Sequence, residues 1–86
     1  MDDKKLEEET IRWLKRLEEE MKKTEINEKS KKTAKEILEN IRAYISDSKH
    51  FLGKKDYLNA YEAVIYAWGM YETALRVRLI VKNPDL

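Results

Sequence analysis

The run from Asp56 to Val81, DYLNAYEAVIYAWGMYETALRVRLIV, constrains the fold more than any other part of the chain. It carries most of the aromatic residues and has no proline. Wound as a helix, it places Tyr57, Tyr61, Val64, Trp68, Tyr71 and Leu75 on one stripe, with Ala60, Ala67 and Ala74 at every seventh position along the edge. Small residues at that spacing let a neighbouring helix approach closely. Tyr66, Met70 and Val77 fall on the opposite side at i, i+4 and i+11, with Ala63 and Thr73 beside them. A helix apolar nearly all round is normally covered on two sides.

The remaining chain supplies two amphipathic partners. From about residue 3 to 23, Leu6, Thr10, Trp13, Leu14, Leu17 and Met21 make one narrow apolar stripe. The outer side offers Glu8 with Arg12, Lys15 with Glu19, Arg16 with Glu20 and Glu18 with Lys22 at i,i+4, each pair contributing a few tenths of a kcal/mol on a solvated face. Thr24 to Ser30 breaks the pattern and reads as a turn, with Asn27 or Ser30 as the next N-cap. A second helix follows over about 28–52, with Ala34, Ile37, Leu38, Ile41, Tyr44, Ile45, Ser48, Phe51 and Leu52 on one face. Gly53 is placed to take positive φ at its end, and Asp56 to cap a third helix over about 57–82 that Pro84 halts. So short a link makes helices two and three antiparallel neighbours. No segment reads as a strand. The expected fold is therefore all-α, a single up-and-down three-helix bundle spanning 1–86.

Composition narrows the function. Cysteine is absent, which removes disulfides, thiolate metal sites and thiol nucleophiles. Glu62 and Glu72 interrupt the most apolar run well short of the ~20 residues a bilayer crossing needs, so no membrane association is expected. The opening MDDKKLEEE is unlike a secretory leader, and a cytoplasmic location is the expectation. Charged residues make up 41% of the chain yet the net charge is only +1, so no global field draws it to nucleic acid. The absence of glutamine and abundance of Lys and Glu lean toward a thermophile's protein.

Chemistry-bearing groups are sparse. Asp47 and His50 form an Asp-x-x-His pair, but helical di-iron sites need two such pairs and further carboxylates, and this one projects away from the apolar stripe. Glu62 and Glu72 stand about 15 Å apart along a helix, too far for a two-carboxylate mechanism. With two glycines there is no phosphate loop. No catalytic residue, cofactor or metal ligand is assigned, and the chain reads as a non-enzyme. Lys22, Lys23, Lys29, Lys31, Lys32 and Lys35 share one pole with Arg76, Arg78 and Lys82, but Glu18, Glu19, Glu20, Glu25 and Glu28 stand among them and no aromatic residues are interleaved, which argues against nucleic acid.

Within KKDYLNAYEAVIYAWGMYETALR, the residues Lys55, Asp56, Tyr57 and Ala60, followed by Tyr61, Glu62, Ala63, Ala67, Trp68 and Gly69, resemble the signature of an archaeal family catalogued as domain of unknown function 357. The resemblance extends over most of the chain and implies a small up-and-down three-helix bundle with no assigned activity or ligand. More faintly, the segment resembles the Gly-Asp-Tyr-x-x-Ala turn of tetratricopeptide repeats, with Lys55 where the glycine belongs and no second repeat. The alanine-spaced helix is also similar to that of small helical companions of nucleotidyltransferases, but Arg42 and His50 do not have that group's spacing.

These readings converge on an interaction module that binds another protein or its own copy through Ala63, Tyr66, Met70, Thr73 and Val77. The alternatives are an RNA-associated module and a small subunit of a nucleotide-related enzyme. The alanine stripe gives a direct test of the packing. Ala67→Leu is expected to destabilise the fold by about 1 to 3 kcal/mol through overpacking, read from urea unfolding, whereas a neutral effect would place the stripe in solvent.

Overall fold

The computed structural model describes residues 2–86, which form an up-and-down bundle of three helices. These are α1 (Asp3–Lys22), α2 (Lys31–Gly53) and α3 (Tyr57–Arg76). Between α1 and α2 lie a short strand β1 (Thr24–Ile26) and a 3-10 turn (Glu28–Ser30), and β2 (Ile80–Lys82) follows α3. The helix starts follow local chemistry. Asp2 accepts from the Lys5 amide at 2.8 Å and Asp56 from the Asn59 amide at 3.4 Å, each covering an amide with no partner inside its helix. Asn27 caps the 3-10 turn through the Lys29 amide, so the second helical segment opens tightly at Glu28 and becomes α-helical only at Lys31. Ser30 makes no cap bond.

Helix α3 is the central element: α1 and α2 both pack on it and touch each other little. The core gathers Leu14 and Leu17 from α1, Ala34, Leu38, Ile41 and Ile45 from α2, and Val64, Ala67, Tyr71 and Ala74 from α3. The alanine seam faces α2, where the approach is close enough for the Ser48 hydroxyl to donate to the Ala60 carbonyl oxygen at 2.7 Å. The aromatic flank faces α1. Trp13 and Trp68 meet edge to face at 5.6 Å, the Trp68 indole N–H donates to the Trp13 carbonyl at 3.0 Å, and the buried Tyr71 places its hydroxyl 2.9 Å from Thr24 Oγ1. Tyr57 and Tyr61 are only half-buried at the other end.

Three expectations need correction. The third helix ends at Arg76, a turn and a half before Lys82, because Arg78 takes φ 61°. The Arg78 amide then donates to Leu75 O and the Leu79 amide to Ala74 O, a Schellman closure that turns the chain out of the helix. At the end of α2 the same motif uses Lys55, at φ 61°, with Lys55 N to Leu52 O and Asp56 N to Phe51 O. Gly53 therefore remains helical and supplies no positive φ. Secondly, a strand pair does exist: β1 and β2 run antiparallel with Thr24 opposite Lys82, Glu25 opposite Val81 and Ile26 opposite Ile80. The pairing carries Ile80, fully buried, into the base of the core.

Thirdly, none of the four expected i,i+4 ion pairs on α1 is present among the described residues. Arg12 reaches Glu9 at i,i+3, and Arg12 and Arg16 lie over the Trp13 ring at 5.4 and 4.9 Å. Glu18 pairs with Lys49 of α2, and Glu20 with Lys82 of β2 at 3.0 Å. The hydrogen bond to Glu20, with its negative charge, holds the Lys82 ammonium above the ordinary lysine value of 10.5. Because the folded value is the raised one, the Lys82 contribution to stability is present below the ordinary lysine value and is lost as pH rises through the raised one.

Both Schellman closures place a residue with a Cβ where glycine is favoured. Lys55→Gly and Arg78→Gly are each expected to raise stability by about 0.5 to 1 kcal/mol in urea unfolding, whereas Lys55→Val should lower it.

Candidate interaction face

With α1 on its aromatic flank and α2 on its alanine seam, α3 leaves one side outward. Leu58, Glu62, Ile65, Tyr66, Gly69, Glu72, Thr73 and Arg76 are all exposed along it. Four large apolar side chains stand open to solvent on α3 and its cap residue: Leu58 at 59%, Ile65 at 41%, Tyr66 at 62% and Val77 at 59% exposure. Single exposed apolar residues are ordinary, but several on one helix of a small domain form a patch.

The expected face divides on inspection. Tyr66, Thr73 and Val77 are exposed. Met70 is half-buried and packs against the core, and Ala63, only 8% exposed, belongs to the interior and drops out of the accessible face. The wheel angle explains this, since Ala63 lies next to the α2 seam and has no length with which to reach past it. Tyr66 is not free-standing, for its ring stacks on Tyr44 of α2 at 5.4 Å with an interplanar angle of 15°. Tyr66 also lines a groove of about 490 Å³ on this side of α3, together with Ile65, Gly69, Met70 and Val77 of α3 and its cap, Ile37 of α2 and Leu79. A second groove, between α3 and α1, runs past Trp13, Arg16, Trp68 and Glu72 and shares Ile65 and Gly69 with the first.

Ile65 and Gly69, neither of them among the residues expected on the face, thus occupy the ridge between the two grooves. They sit beside Tyr66 and Met70 on the same wheel, so the helical period could have found them. Leu79 and Ile37 join from outside α3 and become visible only once the chain is folded. Gly69 has an ordinary helical φ, and a Cβ built on it would meet nothing within 4 Å. Nothing inside the protein therefore requires a glycine there, although glycine in a helix interior costs about 1 kcal/mol relative to alanine.

The polar candidates remain scattered. Asp47 and His50 are exposed on α2, Glu62 and Glu72 are exposed on α3, and no group of three or more His, Asp or Glu among the described residues is placed to hold a metal ion. No helix is long and apolar enough to cross a membrane among the described residues. At the basic pole Lys22, Lys31 and Arg78 are exposed, while Lys82 is neutralised by Glu20, and Glu25 accepts from the Asn83 amide nitrogen at 2.7 Å.

Residues 12–80 match the model of a family described as "Protein of unknown function (DUF357)". Among solved structures, the chain is similar to protein AF1782 from Archaeoglobus fulgidus, itself assigned to DUF357, at 38% identity and a TM-score of 0.81, covering 94% of this chain and 97% of that one. No functionally curated protein matches the sequence.

The open position predicts its own effect. Gly69→Ala should stabilise the monomeric chain by about 0.5 to 1 kcal/mol in urea unfolding at a concentration low enough to exclude self-association, and a loss of stability there would mean that the helix needs the glycine for internal reasons.

Proposed function

This chain belongs to the DUF357 family, which carries no assigned reaction, and from its surface geometry we propose that it is a non-catalytic interaction module whose working part is the outer side of α3. The observation that carries this reading is the open apolar groove along α3, lined by Tyr66 and Met70 with Ile37 of α2 and by the exposed Ile65 and Val77. A groove of this form suits the apolar face of an amphipathic helix, with aromatic and methionine side chains at its centre and polar groups at its margin. Covering it removes apolar area from water at about 25 cal/mol per Å², and the rigid helices beneath leave little backbone to order on binding.

An RNA-associated role finds less support. The exposed lysines of the pole are interleaved with carboxylates, and the chain's exposed aromatic ring, Tyr66, is already stacked on Tyr44 rather than free to receive a base. The proposal of a small enzyme subunit has no gathered polar site to rest on.

The test uses Tyr66→Lys with Val77→Glu, both at exposed positions, and so spares the half-buried Met70. The wild type is expected to run larger than a monomer, either as pure protein in light scattering or as tagged protein in an extract of its source cells. The double variant should run as a monomer in both while melting within a few degrees of the wild type, as surface substitutions generally do. A wild type monomeric in both settings, or a variant that keeps the larger assembly, would overturn the reading.

A further inference from the structure

The outer line of α3 has a symmetry that a binding site for an unrelated helix would not need. Glu62 stands seven residues before Gly69 and Arg76 seven residues after it, both exposed. Neither is among the chain's ion pairs, which are Lys5–Glu9, Arg12–Glu9, Lys49–Glu18 and Lys82–Glu20 among the described residues. On a helix rising 1.5 Å per residue, each charge lies about 10 Å from Gly69, in opposite directions along the axis.

Resting on the interaction reading above, we propose that the occupant of this face is a second copy of the chain, packed antiparallel so that the two α3 helices cross at Gly69 about a twofold axis. That operation places Glu62 level with the partner's Arg76, and Arg76 level with the partner's Glu62. The charges left unpaired in one chain are thus matched twice in the pair. Parallel packing would set each charge against its own kind. At the crossing itself, Gly69 meets the partner's Gly69, where the lack of side chains lets the axes come to the short end of the ordinary 8 to 10 Å range. A shallow crossing of about 20° keeps the Glu–Arg pairs within reach of their flexible stems.

The same operation brings Tyr66 within one residue's rise of the partner's Thr73, on the side of the apolar groove. Tyr66, its ring held by the stack on Tyr44, then lies in the interface between the two copies' grooves. Gly69 is accounted for as well: its open Cβ position, unused within the chain, is the space the second helix occupies.

Sedimentation equilibrium on the purified full chain tests the proposal. The wild type should be a dimer. Glu62→Arg and Arg76→Glu, each of which turns both ion pairs into repulsions, should weaken association by about tenfold or more, and the doubly reversed chain should recover to within about threefold of the wild type. Gly69→Leu should abolish the dimer while the dilute monomer melts no lower than the wild type, which separates a blocked crossing from a damaged fold. A wild type that stays monomeric when pure, a double reversal no tighter than the single ones, or a Gly69→Leu chain that dimerises normally would each overturn the antiparallel pair. If the pure protein is monomeric yet runs in a larger assembly in extract, the face serves a different protein and only the second copy is lost. If it is monomeric in both, the interaction reading falls with it.

Discussion

The close approach of α2 to the alanine seam of α3 is the contact on which the rest of the structure depends. Ala60, Ala67 and Ala74 have no side chain beyond Cβ, so the α2 backbone comes near enough for Ser48 to donate to a main-chain carbonyl of the facing helix. This hydrogen bond serves two purposes. It satisfies a hydroxyl that would otherwise be buried without a partner, and it fixes the axial register of the two helices in a way that aliphatic contact alone does not. On the other flank, Trp68 and Tyr71 hold α1 off with bulky rings whose polar atoms find Trp13 O and Thr24 Oγ1. Small residues on one side and large ones on the other make α3 an asymmetric centre, and its position between two helices leaves the third side open.

The ribbon of β1 and β2 closes the opposite requirement, which is to finish the core below the last turn of α3. Ile80 enters that space only because the Schellman closure at Arg78 redirects the chain. The ribbon is then held from both edges, by Asn27 donating to Arg78 O and by the Asn83 amide donating to Lys23 O. The tail and the outer face are linked by this turn, since Leu79 lines the same groove as Ile65. Loosening the ribbon would therefore disturb a lining residue of the groove as well as a core side chain.

How much of this was legible in the sequence depends on the range over which the signal acts. Helical stripes are repeated over many residues, and they located all three helices and the alanines at positions 60, 67 and 74 that meet a close neighbour. The strands are three residues each and carry no period, and their pairing is decided by tertiary closure, so they left no readable trace. The helix ends misled for a physical reason: a glycine is favoured at a left-handed cap position but is not obligatory, and the tertiary fit put Lys55 and Arg78 there instead. Of the charges expected to pair at i,i+4 on α1, Glu18 and Glu20 went to partners on other elements and Arg12 and Arg16 to the Trp13 ring, because each local pair is worth only tenths of a kcal/mol. Of the candidate face, Tyr66, Thr73 and Val77 are open, whereas Ala63 lay a few tens of degrees to the wrong side of the boundary, a precision that a helical wheel does not have.

The two kinds of small residue on α3 separate what the fold explains from what it does not. The alanines are small because α2 is there, and that cause is visible within the chain. Gly69 is smaller still, sits mid-helix with ordinary dihedrals and faces empty space, so neither packing nor backbone geometry accounts for it. The apolar residues around it pose the same problem, for a chain with 41% charged residues has no shortage of side chains suited to water, yet Ile65, Tyr66 and Val77 remain on this side. Helix propensity would favour replacing the glycine, and solubility would favour replacing its neighbours. Residues that lower both properties of the isolated chain together, at one place and on one face, would share one physical explanation in the second helix proposed to lie across them.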